Sequence, residues 1–130
     1  MTRRTIAEIL AEAQAKLRRL TPVQAHAAAR DGWTLVDTRD RDAIARDGTI
    51  PGALSLPLSV LEWRVDPASP SHAEELSGRE ERLILICQDG YSSSLAAVRL
   101  QELGFANTTD VIGGFAAWRS AGLPVEKASG

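Results

Sequence analysis

"RLILICQDGYSSSLAAVRLQELG", residues 82–104, decides the fold. Its first half is a run of β-prone apolar residues ending at Cys87, which reads as a short strand buried on both faces. Gly90 and the small polar residues around it break the run. From Ser92–Ser94 onward a helix is expected, because Leu95, Val98, Leu100 and Leu103 follow at helical spacings until Gly104 stops it. A strand, a tight polar loop and a helix in that order form one unit of a parallel sheet.

The same alternation continues in both directions. Downstream, "TTDVI" (108–112), Gly113-Gly114 and "FAAWRSAG" (115–122) repeat strand, turn and helix. Upstream, "WTLVDTR" (33–39) and "ALSLPL" (53–58) read as strands, with a helical turn in "DRDAIARDG" (40–48) between them. "SVLEWRVD" (59–66) reads as a helix ended by Pro67, and residues 67–81 as a polar connection with some helical character. "TPVQAHAAARDG" (21–32) has Thr21 to cap a helix, Pro22 at its first position and Gly32 as a stop. Before it, Ile6, Ile9, Leu10, Ala13, Leu17 and Leu20 line one helix face. Glu8 and Glu12 precede Lys16, Arg18 and Arg19, the order that suits a helix dipole. This extension, residues 1–20, either packs on the outside of the domain or offers a surface to a partner. Residues 21–126 form the domain proper, and 127–130 a short tail. The whole reads as an α/β fold with a mainly parallel sheet covered on both sides.

Composition narrows the function. The chain has 130 residues, 44% hydrophobic and 25% charged, enough for one core without disulfides or metal. Its formal charge of −2 and pI near 5.7 provide no general attraction to nucleic acid or an anionic membrane. No apolar run approaches the about 18 residues of a membrane span. Arg3-Arg4 does not begin a twin-arginine signal, because Glu8 and Glu12 interrupt the apolar region such a signal needs. A single cysteine cannot form an internal disulfide, which fits a reducing cytosol. His26 and His72 lie in separate segments with no clustered ligands, so no metal site is expected.

Cys87 is the one residue whose placement asks for chemistry. Ligands collect at the carboxyl ends of strands in open parallel sheets, and Cys87 stands at such an end. The following helix directs its positive end at the thiol, which favours a thiolate. Gly90 allows the loop to curl so that its amides face inward as anion donors. A thiolate ringed by amides is a nucleophile whose anionic adduct is also stabilised. A free cysteine is equally at home as a small core residue, and on spacing alone both readings stand.

Four further stretches bear on that choice: "LVDTRD" (35–40), "GTIPGALSLP" (48–57), "CQDGYSSSLAA" (87–97) and "VIGGFAAWRSAGLPV" (111–125). In this order and spacing the chain resembles the single-domain rhodanese family across roughly residues 20–126. The resemblance implies a three-layer α/β/α fold and sulfurtransferase activity. A donor such as thiosulfate or a persulfide passes its sulfane sulfur to Cys87, and a thiol, a cyanide-like nucleophile or a protein acceptor removes it from the resulting persulfide. It implies an active loop of Gln88, Asp89, Gly90, Tyr91 and Ser92, with Ser93 entering the helix. No cofactor is called for, since the cysteine carries the transferred atom.

The chain departs from the family where charge matters. Thiosulfate-handling members commonly carry a basic residue at the loop's last position and often another after the cysteine; here stand Ser92 and Gln88, and Asp89 adds a negative charge. Arg64, beside Trp63, is the one remaining cation that could supply the anion contact, the alternative being a plain surface arginine beside a packed Trp. Thr49 replaces the usual histidine of "GHIPGA", a structural position at which the change is neutral for function. Asp37 and Arg39 are expected to pair and brace the loop rather than touch substrate. Gly113 and Gly114 let the last turn approach the loop, and Trp118 reads as core. A cysteine phosphatase needs an arginine clamp closing its loop, and the first arginine after Cys87 is Arg99. A serine hydrolase needs an elbow motif that is absent. The second class of function is a redox-sensing or protein-binding module that does not turn over a sulfur donor.

Overall fold

The computed structural model describes residues 2–128. Its elements run α1 (Ile6–Ala15), α2 (Pro22–Arg30), β1 (Thr34–Asp37), α3 (Arg41–Asp47), β2 (Leu54–Ser55), α4 (Leu61–Val65), β3 (Leu83–Ile86), α5 (Ser92–Glu102), β4 (Thr109–Asp110) and α6 (Gly114–Ser120). The four strands form one sheet in the order β2-β1-β3-β4. Every pairing is parallel, with Val36 beside Leu85 and Leu85 beside Asp110. The expected mainly parallel sheet is therefore wholly parallel among the described residues.

Alternation along the two central strands builds the two faces. Val36, Leu83 and Leu85 pack with Leu61 and Val65 of α4 and Ala97 and Leu100 of α5. Leu35, Ile84 and Ile86 turn the other way, toward Ala25 of α2 and Phe115 and Trp118 of α6. Three layers result. All four side chains of β3 are fully buried, which is why that strand carries no polar residue. Trp118 is 1% exposed, and its indole N–H donates to the Pro124 carbonyl at 2.9 Å. The ring also meets His26 edge-on at 5.5 Å, so that histidine serves packing.

Three expectations shift. The N-terminal helix ends at Ala15 instead of continuing toward Leu20. Leu20 leaves it to bridge Val111 in parallel: its N–H donates to the Asp110 carbonyl at 3.0 Å, and the Ile112 N–H to its own carbonyl at 2.8 Å. Pairing an otherwise bare sheet edge outweighs another helical turn. The apolar stripe is also only partly used, because Ala13 is buried and Leu17 packs on the core while Ile6 remains 68% exposed. The third shift concerns "SVLEWRVD", where a tight 3-10 turn at Leu58–Val60 precedes a single turn of α-helix at Leu61–Val65. Within the polar connection, Glu74–Leu76 forms another 3-10 turn that buries Leu76. The expected 1–20 extension and 127–130 tail end in Met1, Ser129 and Gly130, which lie outside the described residues.

Candidate active site

β3 delivers Cys87 to the carboxyl end of the sheet and α5 begins five residues later. The helix has no side-chain cap at its N-terminus; the cysteine sulfur takes that place. The Ser93 N–H, one of the first-turn donors that helix geometry leaves unpaired, reaches Sγ at 3.3 Å. The Gly90 N–H reaches it at 3.2 Å, and the thiol meets the Ser93 hydroxyl at 3.1 Å. The N–H groups of Asp89 and Tyr91 have no protein acceptor among the described residues. Cys87 is 5% exposed, at the base of a cavity of about 450 Å³ that Arg39, Leu58, Gln88 and Ser92 also line. A thiol, inward amides and an opening are thus brought together.

Close backbone contact fixes the loop. The Cys87 carbonyl accepts from the Phe115 N–H at 2.7 Å, and the Gln88 carbonyl from the Ala116 N–H at 3.0 Å. Gly90 and Gly114 have φ of +85° and +59°, and a Cβ on Gly114 would lie 2.4 Å from the Cys87 carbonyl oxygen. The expected close approach of the Gly113-Gly114 turn is present.

Asp37 and Arg39 form a forked pair, with Nε to Oδ1 at 3.0 Å and Nη2 to Oδ2 at 2.7 Å, both side chains buried. The Arg39 Nη2 also donates to the Gly48 carbonyl at 2.8 Å. Its guanidinium stacks 3.8 Å from the Phe115 ring centre, and Phe115 is the residue whose N–H holds Cys87. The pair thus braces the loop through α6. Gln88 donates through Nε2 to Asp47 at 3.3 Å, while its Oε1 and the Arg39 Nη1 are buried without a protein partner. A hydrogen bond from Arg46 holds the Asp47 carboxyl below its usual value, and the charge of Arg119 acts in the same direction. The Gln88 anchor is therefore ionised at neutral pH.

Other predicted residues are placed differently. Asp89 is exposed and Tyr91 is 64% exposed, and neither lines the cavity. Arg64 is not brought to Cys87: its Nη1 donates to the Ser71 carbonyl at 3.0 Å, away from the cavity lining. His72 lies 3.5 Å from Glu80. A groove of about 660 Å³ between Trp33, Arg82 and Thr108 is larger, but it sits at the amino ends of the strands, away from Cys87.

Two residues that sequence reasoning passed over stand behind the loop. Asp110 is fully buried and accepts from the hydroxyls of Ser93 at 2.8 Å and Ser94 at 2.7 Å. Arg19 pairs with it, Nε to Oδ1 at 2.8 Å, and gives another N–H to the Gly90 carbonyl at 2.9 Å. A carboxylate inside a short strand was the available signal, since a buried charge requires a partner.

The fold and site together define an α/β domain in which a tight loop closes on a cysteine at the carboxyl end of a central parallel strand. A family model, the rhodanese-like domain, matches residues 21–121, and the chain belongs to that family. The thiosulfate sulfurtransferase GlpE of Pseudomonas entomophila (strain L48) is 34% identical over 115 residues, 88% of this chain and 95% of its own. A Rhodopseudomonas palustris protein of unknown function, described as a possible tyrosine phosphatase, has a structure similar at a TM-score of 0.86, with 35% identity and 97% of both chains covered. The polysulfide-sulfur transferase homodimer of Wolinella succinogenes shares the fold at a TM-score of 0.71 and 23% identity, over 94% of this chain and 87% of that one.

Proposed function

We propose that the chain is a sulfurtransferase that carries a sulfane sulfur on Cys87. The Cys87 thiolate attacks the outer sulfur of the donor, and the donor's S–S bond breaks with its electron pair leaving on sulfite or on a thiolate. The product is a Cys87 persulfide anion. An acceptor thiolate or cyanide then attacks the outer sulfur, and Cys87 departs as thiolate. Electrons and atoms balance without a cofactor or a metal. The observation that carries this reading is the pair of amides from Gly90 and Ser93 on Sγ, donors that favour negative charge at the sulfur before and after each step. Curated relatives of similar length that are named thiosulfate sulfurtransferases support it.

Charge around the cavity favours one donor class. Among the described residues Arg39 is the only cation lining it, its charge is paired with Asp37 through Nε and Nη2, and Asp40 lines the same cavity. A dianion such as thiosulfate gains little there, so a low-molecular-weight persulfide is the better donor. A phosphatase reading, raised by the Rhodopseudomonas palustris relative, lacks its clamp. Ser93 occupies the helix start behind Cys87, while Arg99 is exposed and faces Glu102 at 3.6 Å. A cytosolic location goes with the proposal, on the grounds of one unpaired thiol. No described helix is long and apolar enough to cross a membrane.

Intact-mass spectrometry of the reduced protein, after brief exposure to thiosulfate and separately to a small persulfide, tests the reading with Cys87→Ala as control. A gain of one sulfur atom that is absent from the variant and removed by cyanide is expected, larger with the persulfide. No gain from either donor would replace the transferase by the sensor or binding module.

A further inference from the structure

A serine hydroxyl owns one proton, and Ser93 stands between two acceptors. Its Oγ lies 2.8 Å from Asp110 Oδ2 and 3.1 Å from Cys87 Sγ. Facing a carboxylate, which can only accept, it donates to Asp110 and receives the thiol S–H on its lone pair. Once the thiol proton has left, that arrangement sets a lone pair against a negative sulfur, and the hydroxyl must turn its proton to Sγ. Asp110 remains satisfied when this happens, because the Ser94 hydroxyl at 2.7 Å and the Arg19 Nε at 2.8 Å stay bonded to it.

Arg19 does more than fill a valence. Asp110 is fully buried and the Arg19 side chain is 16% exposed. With the guanidinium in place the carboxylate is neutralised. Without it, a bare buried negative charge would sit one hydroxyl away from the sulfur, in surroundings where water screens little. The same guanidinium holds the Gly90 carbonyl at 2.9 Å, on the residue whose N–H binds Sγ. Gln14 adds a second tie from the N-terminal segment, its amide donating to the Ser94 hydroxyl at 3.3 Å. Both residues precede the span 21–121 matched by the family model.

We propose that Arg19 is a positioning residue of the Cys87 site: by neutralising Asp110 it frees the Ser93 hydroxyl to serve the sulfur anion, and by holding Gly90 it sets the loop. The N-terminal segment is thereby part of the active centre. The inference rests on Cys87 being the nucleophile of the proposed function.

Alkylation of Cys87 in the full chain tests it, with neutral iodoacetamide and anionic iodoacetate as probes and thermal melting followed alongside. Arg19→Met is expected to slow iodoacetamide about tenfold, because the bare Asp110 charge lies one hydroxyl from the sulfur, and iodoacetate by a further severalfold, since that charge also repels the reagent. Arg19→Met combined with Asp110→Asn removes the charge together with its partner, and is expected to restore the ratio of the two reagents to that of the unmodified protein. An unchanged ratio in Arg19→Met, or a ratio that the second substitution leaves depressed, would overturn the proposal, because a purely structural role slows both reagents alike. Alkylation reads the thiol and not sulfur transfer, so its failure and the failure of the transferase reading are separate results.

Discussion

Arg39 shows how one side chain can matter to the Cys87 loop without a hydrogen bond to the cysteine. Its Nε and Nη2 fork onto Asp37, Nη2 also bonds the Gly48 carbonyl, and its flat face lies on Phe115. Removing it leaves Asp37, 3% exposed, as an uncompensated buried charge. Arg39→Ala should therefore destabilise the protein by about 3–5 kcal/mol, measured as a fall in the denaturation midpoint. Lysine is a poor substitute, because a point charge cannot fork onto the carboxylate or lie flat on the ring. At this scale the sequence was informative about identity and weak about direction. The Asp37–Arg39 pair was implied by the resemblance, whereas Cys87 and Gly90 were legible because an apolar run and a glycine are local signals. Arg64 was not: a single turn of helix sets its guanidinium on Ser71, and nothing in "LEWRVDP" reveals which way that turn faces. Arg19 was hidden for a related reason, since the apolar spacing through Leu17 and Leu20 continues a helical pattern where the chain has already straightened.

Among the elements, the contact between the Cys87 loop and the start of α6 is the tightest joint of the site. Gly90 and Gly114 both adopt left-handed backbone conformations, and a Cβ on Gly90 would come within 2.7 Å of the Gly113 nitrogen. Gly114→Ala combines an unfavourable φ with a backbone collision that no side-chain movement relieves. It is expected to lower stability by at least about 3 kcal/mol and to reduce persulfide loading of whatever folded protein remains, scored by the same mass measurement. Gly122, with φ of +74° and open space around it, supplies the contrast: Gly122→Ala meets only the backbone strain and should leave persulfide loading intact. The glycine pair was visible in the sequence as a turn. That it would close on the cysteine loop came from resemblance, as two segments more than twenty residues apart in the chain contain no local instruction to meet.

For the whole molecule, the sheet explains both what was foreseen and what was missed. Alternating apolar strands and amphipathic helices announce a parallel sheet between two helical layers, and periodicity survives at any chain length. The edge of the sheet is less legible, because β4 has only two residues and its outer neighbour is Leu20, a bridge from the other end of the chain. A protein beginning at Thr21 would lose that bridge, the cover of Leu17 on the core and both ties to the loop. Its stability is expected to fall by roughly 2–4 kcal/mol, the scale of burying one or two large apolar side chains, with slower Cys87 alkylation than the full chain; equal melting and equal alkylation would show the extension to be dispensable.

The pairing of Arg19 with Asp110 spans 91 positions, and that separation has a meaning in time. On the ribosome the arginine emerges well ahead of its carboxylate, at about 5–20 residues per second an interval on the order of ten seconds. Throughout it Cys87 is either unmade or held in a loop whose far wall has yet to be synthesised. On the proposed reading, the nascent chain thus meets the cell's thiols and oxidants with its sulfur chemistry unarmed, and the Cys87 site is completed only when Asp110 has followed Arg19.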